Sequence, residues 1–567
     1  MPPIRPSLLT PGLAACGLLA PALAGAPAGD WTQLPPLTAP VEALRQASAE
    51  VPAQPDAGIQ DLLEETRIEI DSEGRRTTVY RYVFRVDQDG AVDDWRQVRA
   101  TWSPWREARP EIRARVITPD GQVHTLDPKT IGEYSDASGE QDVYGDGRSL
   151  KAPLPQLQKG ALAEVVITSK DDRPFSATGA TGWCGLAQPF PVRRTVLSIS
   201  APAAAPLKAK VLGLPGALLQ RSVDGGRVRL SLELGPQPAS KRKPANLPAD
   251  QATSAAVAYT TTPSWQAAAA EYAAIVDRQA ADPAIAAWAA EAVKDLKDGA
   301  EREARIARIL ARLHQQVRYT GIEFGDRAIT PAPPSEVLKR GYGDCKDKAT
   351  LLVAALRASG IPAEVALLQT GPGADVDPEI PGLGQFNHAI VHVPGDHPLW
   401  IDATADLSPL GTAYLGDEGR YALIAAPGTR ALARIPQAQA ADNWESESRE
   451  VWFGDEAPGR VKETTDAKGY FAAHYRSDYL DSDPKKVKET LEGYVKDAFK
   501  AEALGPFTYT APRDLSTPFR LVLEARSAGT VQEDAEHASA TLNVWSMFSD
   551  LLSELGGLPD AKDPKPR

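Results

Sequence analysis

The segment GYGDCKDKATLLVAALRASGIPAEV, residues 341–365, decides how the central part of the chain folds. Asp344 has the side chain of a helix N-cap, and the carboxylate of Asp347 stands three residues on, where a capping box has its second member. The Gly-Ile-Pro sequence at 360–362 is a helix stop followed by a hydrophobic residue. These signals predict a helix that begins at Cys345 and ends before residue 360.

The apolar residues of this predicted helix recur at spacings of four, three and four, which places them on one stripe. The spacing predicts that this stripe is buried against a sheet and that the charged residues fall to either side of it. The stripe is formed by Cys345, Ala349, Leu352 and Leu356, and the flanking charges are Lys346, Asp347, Lys348 and Arg357.

A thiol at the amino end of a helix has chemical consequences. The unpaired N–H groups and the positive end of the helix dipole stabilise a thiolate, and the same N–H groups can hold a developing oxyanion. Gly341 and Gly343 permit a tight turn and close approach of a substrate. The alternative is that Cys345 is a small hydrophobic core residue.

A thiolate nucleophile needs a base and a group that orients the base, and both are present downstream. The segment FNHAIVHVPGDHPLWIDATAD, residues 386–406, reads as two strands with His388 on the first and Asp402 on the second. A three-residue hairpin loop at 394–396 would place these two residues directly opposite each other, with Cβ atoms roughly 5 Å apart. A two-residue loop would shift the register by one.

Three neighbouring polar residues are assigned lesser roles. His392 is interpreted as a strand residue, His397 as a turn residue and Asp406 as a loop residue beyond the strand. A zinc site formed by Cys345, His388 and Asp402 is a chemical alternative to a catalytic triad, although no second thiol supports it.

The helix segment, followed by FNHAIVHV and LWIDAT, resembles the transglutaminase-like core, in which Cys, His and Asp occur in this order. The upstream text VRYTGIEFGDRAITPAPPSEVLKRGYGDCKDKA, residues 317–349, is similar to the form found in exported bacterial proteins, where a β-rich domain of uncharacterised function precedes the core. The resemblance implies Cys345 as nucleophile, His388 as general base and acid, and Asp402 as orienting carboxylate. It also implies a papain-like fold, with the thiol helix on an antiparallel sheet.

The resemblance leaves the second oxyanion donor unidentified, and the backbone N–H of Cys345 is the one candidate. Residues 371–385, rich in Gly and Pro, are interpreted as a solvated loop, with a mobile lid beside the cleft as the alternative.

Length and composition predict a multidomain α+β protein of two to four domains. The 567 residues are 43% hydrophobic and 24% charged, and 62 basic against 75 acidic residues give a net charge of −13, which argues against nucleic acid as a partner. In TTVYRYVFRV, residues 77–86, aromatic residues alternate with Arg81 and Arg85, which predicts a half-buried strand.

The predicted domain bounds follow composition and periodicity. Residues 30–60 read as a linker or a short docking helix. The predicted regions are an N-terminal β-sandwich at 60–235, a linker at 236–262, the transglutaminase-like core at 263–430, a C-terminal mixed β-rich region at 440–550 and a disordered tail at 551–567.

Residues 1–24 have the pattern of a signal peptide, with one basic residue, an apolar stretch and Ala22-Leu23-Ala24 as a cleavage site. The alternative is a lipoprotein signal ending at Cys16, which would hold the protein at a membrane surface. Either form predicts a periplasmic or otherwise extracytoplasmic protein. Cleavage after Ala24 leaves Cys184 and Cys345, for which a disulfide is possible but unsupported.

The sequence as a whole predicts thiol-dependent acyl transfer on amide bonds of a peptide or protein, through a thioester at Cys345. Water as acceptor would make the protein a peptidase, and an amine would make it a cross-linking enzyme. No cofactor or metal is expected, and the oligomeric state is left open. The alternative is a catalytically silent transglutaminase-like scaffold that acts as a binding or assembly module.

Overall fold

The computed structural model describes residues 30–541, except 54–56, 137–142, 241–253, 298–299, 372–373, 413, 415, 454–458, 481 and 534–535. The predicted signal peptide with Cys16 and the predicted tail lie outside the described residues. The chain forms two compact units. Unit 1 comprises the chain up to Lys294 with Gln315–Ile390 and Arg420–Ala433, and unit 2 comprises Asp295–His314, Val391–Gly419 and the chain from Arg434.

The N-terminal part of unit 1 is built mainly of strands. Its helices are α1 (Val41–Ala49) and α2 (Ala91–Trp95). Its strands are β1 (Ile59–Ile70), β2 (Arg76–Val86), β3 (Gln97–Trp102), β4 (Glu111–Ile117), β5 (Val123–Thr125), β6 (Gly132–Ser135), β7 (Val143–Gly145), β8 (Arg148–Pro153), β9 (Leu162–Lys170), β10 (Thr181–Gly185), β11 (Thr195–Pro202), β12 (Lys208–Leu212), β13 (Gln220–Asp224), β14 (Arg227–Leu234) and β15 (Ala256–Thr260).

The middle of the chain mixes helices and short strands. Its helices are α3 (Trp265–Ala280), α4 (Ala284–Val293), α5 (Arg302–Gln316), α6 (Pro334–Arg340) and α7 (Cys345–Ala358). Its strands are β16 (Arg318–Tyr319), β17 (Gly321–Glu323), β18 (Tyr342–Gly343), β19 (Glu364–Leu368), β20 (His388–Val393), β21 (Leu399–Ile401), β22 (Tyr421–Ile424) and β23 (Ala433–Arg434).

The C-terminal part of unit 2 has helices α8 (Tyr470–Tyr479) and α9 (Pro484–Phe499). Its strands are β24 (Trp444–Trp452), β25 (Arg460–Lys468), β26 (Ala501–Tyr509), β27 (Phe519–Ala528), β28 (Val531–Glu533) and β29 (Ala538–Ala540).

The N-terminal domain is a β-sandwich, as predicted. A large sheet has the strand order β13-β14-β11-β1-β2-β9-β4-β5, and two three-stranded sheets, β3-β8-β6 and β10-β15-β12, pack on it. Both small sheets share hydrophobic cores with the large one. One core contains Tyr82, Phe84 and Leu150, and the other contains Leu197 and Tyr259. The prediction of a multidomain α+β chain with a β-rich N-terminal domain is therefore confirmed.

The second face of strand β2 is covered, which the sequence did not indicate. Arg81 is fully buried and pairs with Glu164, and it donates hydrogen bonds to the carbonyls of Thr32 (3.4 Å) and Leu34 (3.2 Å). Residues 30–51 thus dock on this face, and α1 is the docking helix. The predicted strand is confirmed, but its second face is covered, because alternation cannot tell a face that meets solvent from one that meets a polar chain segment.

The predicted linker at 236–262 contains a structured part. β15 is the middle strand of its sheet and pairs antiparallel with both β10 and β12. All of its residues are buried. Residues 241–253 of this linker lie outside the described residues.

Helix α7 lies at the centre of the core in unit 1. It packs against α3, α4, α6 and β19, and β19 pairs antiparallel with β22. The helix ends as predicted: Gly360 has φ 75°, and the N–H groups of Gly360 and Ile361 donate to the carbonyls of Arg357 (3.0 Å) and Leu356 (2.9 Å).

The segment that leads to β20 is docked on the protein. Val376, Ile380 and Leu383 are buried. The prediction of a plain solvated loop at 371–385 is wrong for its described residues 374–385, because apolar side chains spaced along it reach a hydrophobic surface. The alternative of a mobile lid stays a prediction.

The C-terminal part of unit 2 is a sheet with helices on one face. The strand order is β24-β25-β27-β26, and α8 and α9 share its hydrophobic core, which includes Val495, Phe499 and Phe519. The other face carries paired charges such as Lys462 with Glu450 (2.7 Å), which is typical of a solvated surface. Across the described parts of both units, no helix has the length and apolar character needed to cross a bilayer.

Candidate active site

Cys345 stands at the point where α7 reaches accessible space. Every residue from Lys346 to Leu356 is buried, whereas Cys345 is half-buried. The predicted single buried stripe is therefore wrong, because other elements surround the helix on all sides. The thiol at the head of the helix is the part of this stretch that a substrate can reach.

The helix start is fixed by two carboxylates, one of which does not do what the sequence predicted. Asp344 is the N-cap, and its Oδ1 accepts a hydrogen bond from the backbone N–H of Asp347 (3.1 Å). The carboxylate of Asp347 does not return to the cap. It accepts from the N–H of Ala332 (2.7 Å) and pairs with Arg340, so it ties the helix start to the preceding segment.

His388 is the first residue of β20 and is half-buried. The residue before it is held firmly. The N–H of Asn387 donates to the carbonyl of Leu368 (3.1 Å), and its side-chain amide exchanges hydrogen bonds of 2.8 and 3.2 Å with the backbone of Thr370. The backbone that presents the imidazole is thus anchored to the end of β19.

Asp402 lies in unit 2, directly after β21, and is buried. Its Oδ1 accepts two hydrogen bonds from Thr404, one from the backbone N–H (2.8 Å) and one from the hydroxyl (2.7 Å). These two bonds fix the orientation of the carboxylate, as the role of orienting group requires.

The hairpin between β20 and β21 differs from the predicted one. Val393 pairs with Leu399 and Val391 with Ile401, so the loop spans residues 394–398, five residues in place of three. Direct opposition of residues 388 and 402 is therefore wrong. The register is moved by two residues, which leaves the parity of the two positions unchanged because side chains alternate with a period of two. Since Cys345 and His388 belong to unit 1 and Asp402 to unit 2, their assembly into a triad remains a prediction.

Comparison with family models gives two matches in the order that the sequence predicted. Residues 72–241 match a domain of unknown function, DUF3857, and residues 286–405 match the transglutaminase-like superfamily. Cys345, His388 and Asp402 all lie within the second match. The chain thus has a transglutaminase-like core at residues 286–405, which follows the match to the domain of unknown function.

A solved structure with the same architecture supports this assignment at the level of fold. It is a crystal structure of a "putative protease" from Parabacteroides distasonis ATCC 8503, with a TM-score of 0.56 at 14% identity, covering 88% of this chain and 97% of the other. A "putative cysteine protease" from Cytophaga hutchinsonii covers 40% of this chain and 74% of the other, at 13% identity and a TM-score of 0.19. A comparison with curated proteins gives no match.

The start of the thiol helix in this transglutaminase-like core carries buried charge that the sequence did not indicate. Lys346 is buried and pairs with the carboxylate of Asp344. Burial raises the pKa of Asp344, and the negative charge of Asp347 adds to this effect. Sequence reasoning placed Lys346 and Asp347 beside the buried stripe, because a run of charges at a helix start normally faces water.

Tyr272 is a further residue near the thiol that sequence reasoning missed. It lies on α3, which packs against α7, and it is buried. Burial raises the pKa of its hydroxyl, and electrostatic interactions with Cys345, Asp344 and Asp347 act in the same direction. The hydroxyl therefore keeps its proton and remains a hydrogen-bond donor. Its signal in the sequence is an aromatic residue within an alanine-rich run.

A cavity of about 350 Å³ in unit 2 lies beside the segment that follows Asp402. Its walls are mainly apolar, and they include Thr404, Leu407, Tyr414 and Tyr470. A cavity of this size and character is suited to the apolar part of a ligand.

The polar residues to which the sequence gave lesser roles lie as predicted. His392 is within β20 with its ring 4.8 Å from that of Trp400, and His397 is in the hairpin loop. Asp406 lies in the segment after β21, and its carboxylate is 3.5 Å from Nε2 of His314.

The two cysteines of the described chain are both free, so a disulfide between Cys184 and Cys345 is not formed. Cys184 is buried in the hydrophobic core of the β-sandwich. Burial raises the pKa of its thiol to about 12, so Cys184 is a poor nucleophile at neutral pH.

Proposed function

We propose that this protein is a thiol-dependent acyl-transfer enzyme that acts on an amide bond of a peptide or protein. His388 takes the proton of the Cys345 thiol, and the thiolate attacks the amide carbonyl carbon. The tetrahedral intermediate collapses as His388 gives the proton to the departing amine, which leaves a thioester on Cys345. Asp402 holds the imidazole in the orientation that these proton transfers need.

The observation that carries the proposal is the accessibility of Cys345 at the head of a helix in which the next residues, Lys346 to Leu356, are all buried. A core cysteine would be enclosed like its neighbours, as Cys184 is. A thiol at this position instead meets the free N–H groups of the first helical turn, which can hold the oxyanion of the intermediate. Tyr272 is the candidate for a second donor to this oxyanion, because its hydroxyl remains protonated close to the thiol.

The acceptor of the acyl group decides between two outcomes. Water attacks the thioester as His388 removes its proton, which releases the carboxylic acid and restores the thiol. An amine in the place of water would give a new amide. We favour hydrolysis, because a half-buried thiol is open to water.

The proposal is tested by the pH dependence of iodoacetamide alkylation, with the modified cysteine identified by mass spectrometry. An ordinary thiol has a pKa of about 8.5, and we expect the alkylation rate of Cys345 to reach half its plateau well below that pH. The pH of this midpoint should shift in His388→Ala. Cys184 is the internal control and should stay unmodified in the folded protein. A Cys345 profile at the ordinary value that ignores His388→Ala would favour a silent scaffold instead.

A further inference from the structure

The segment that leads into His388 is fastened to the N-terminal domain. We call residues 374–387 the strap; it connects the region after β19 to β20. It lies against β10, the sheet β10-β15-β12 and the start of α3, all of which belong to unit 1 together with the strap. Its buried apolar residues hold it against the protein, and polar groups of neighbouring elements fix its backbone.

Two backbone carbonyls of the strap are held by side chains from outside it. The hydroxyl of Thr260, the last residue of β15, donates to the carbonyl of Pro381 at 2.6 Å. The indole N–H of Trp265, the first residue of α3, donates to the carbonyl of Pro378 at 2.7 Å. Both donors are buried, and a buried hydrogen bond of this kind is costly to break because its partners would remain unsatisfied.

A third anchor is ionic. Nζ of Lys210, on strand β12, lies 3.0 Å from the carboxylate of Asp377 and 2.7 Å from that of Glu379. Partial burial opposes the charge of Lys210, but the hydrogen bonds that it donates to the two carboxylates raise its pKa, so Lys210 stays charged at neutral pH.

A close steric contact completes the attachment. Gly382 lies against Thr181 of strand β10, and a Cβ atom at position 382 would come within 1.8 Å of Oγ1 of Thr181. Six residues beyond this contact the chain reaches His388, and between them Asn387 is fixed to the end of β19.

The segment that leads into Cys345 is also linked to the N-terminal domain. Residues Arg318–Tyr319 pair in parallel with Tyr342–Gly343, which directly precede the N-cap of α7. The same stretch of chain continues as β17, which pairs in parallel with Val143–Gly145 of the N-terminal domain. The carboxylate of Asp146 accepts from the N–H of Gly325 at 3.0 Å.

We propose that the N-terminal domain, matched as a domain of unknown function, is a positioning brace for the active site, which holds the segments that carry Cys345 and His388. This inference rests on the roles proposed above for these two residues. The physical reason is geometric: a nucleophile and its base act only when they are held within about 0.5 Å of the productive arrangement. A Gly- and Pro-rich segment cannot hold an imidazole to that tolerance by itself, and the contacts with β10, β12 and β15 supply the missing constraint.

The experiment compares the double variant Lys210→Met/Thr260→Val, called the brace variant, with the wild type. The same comparison is repeated with His388→Ala present in both proteins. The first readout is amide hydrogen exchange along the strap, where we expect at least a tenfold acceleration in the brace variant. The second is the alkylation rate of Cys345 by iodoacetamide across pH. With His388 present, we expect the profile of the brace variant to move toward that of His388→Ala. With His388 absent, the brace substitutions should change the rate by less than about twofold, because coupled residues are non-additive.

Matched controls separate positioning from general loss of structure. Lys208→Met removes an exposed lysine from the same strand as Lys210 and should leave both readouts at wild-type values. Thr260→Ser keeps the hydroxyl that donates the hydrogen bond, and Lys210→Arg keeps the positive charge. Both variants should therefore give wild-type values for hydrogen exchange and for alkylation.

The outcomes distinguish the two proposals. A His388→Ala profile identical to the wild type would overturn the proposed function. A clear effect of His388→Ala, combined with brace variants that loosen the strap but leave the alkylation profile unchanged, would overturn the brace and leave the proposed function standing. Hydrogen exchange of the strap at the wild-type rate in the brace variant would also overturn the brace proposal, because the substituted contacts would then not hold the strap in place.

Discussion

Replacement of Gly382 by alanine tests how tightly the strap is held. Gly382 has φ 152° and ψ 151°, a conformation that L residues rarely adopt. The new Cβ would lie 1.8 Å from Oγ1 and 2.8 Å from Cβ of Thr181, so either the strap or strand β10 must move. We expect the strap to move, because β10 is held in its sheet by backbone hydrogen bonds.

The expected magnitude has two parts. Backbone strain of this kind costs about 1–3 kcal/mol, and overpacking against a neighbouring side chain costs about 1–3 kcal/mol. Together they lower the free energy of strap detachment by roughly 2–6 kcal/mol, and each 1.4 kcal/mol is a factor of about ten in an equilibrium constant. Strap amides in Gly382→Ala should therefore exchange at least about 30-fold faster than in the wild type.

The assay is hydrogen exchange read by mass spectrometry, with a control in the same segment. Gly384→Ala places its Cβ at 3.5 Å from the carbonyl oxygen of Thr181, which is ordinary contact, and we expect little change. Thr181→Ala in the Gly382→Ala background removes the nearest atom but not the backbone strain, so part of the protection should return. Equal exchange in Gly382→Ala and Gly384→Ala would refute the reasoning.

Three further predictions concern other parts of the chain. Tyr272→Phe should slow acylation of Cys345 by 4-nitrophenyl acetate by about a hundredfold, because an oxyanion donor is lost. The rate of the nitrophenol burst measures this acylation, and an unchanged burst rate would show that Tyr272 is not an oxyanion donor. Arg476 is fully buried and donates hydrogen bonds to the carbonyls of residues 511, 512, 514 and 517. Arg476→Ala should therefore lower the free energy of unfolding of the C-terminal part by about 3 kcal/mol in urea, whereas replacement of the exposed Arg520 by alanine should lower it by less than about 1 kcal/mol. Equal losses in the two variants would contradict this prediction. Protein purified from outside the cytoplasm should begin at Gly25, and a lipid-bearing Cys16 at the N-terminus would favour the lipoprotein alternative.

The elements around the thiol could be predicted because their signals are local. The N-cap Asp344 and the stop at Gly360 bound α7 in the structure as they do in the sequence, since capping depends on residues within one turn. The strands that carry His388 and precede Asp402 follow from alternation. The register between them could not be derived, because the loop takes in His397 and Pro398, and loop length is not set by the strand pattern.

The environment of α7 could not be predicted, because it depends on what surrounds the helix. A stripe at helical spacing indicates at least one buried face, but it does not exclude burial of the others. Lys346 and Asp347 are buried because Asp344 and Arg340 supply opposite charges, and a buried charge is tolerated when it is paired. These partners come from the same short segment, so pairing of opposite charges at a helix start is a signal that an amphipathic reading overlooks.

The strap shows a different limit of sequence reasoning. A Gly- and Pro-rich run predicts a loop at the surface, because its backbone groups need partners and water normally supplies them. Here the partners of two strap carbonyls are Thr260 and Trp265, which are 121 and 113 residues away from the positions that they hold. No local pattern can report a donor at such a distance. If the brace is correct, the residues that set the reactivity of His388 include some that lie outside the transglutaminase-like match altogether, and variants of Lys210 would change the chemistry of a core to which that residue does not belong.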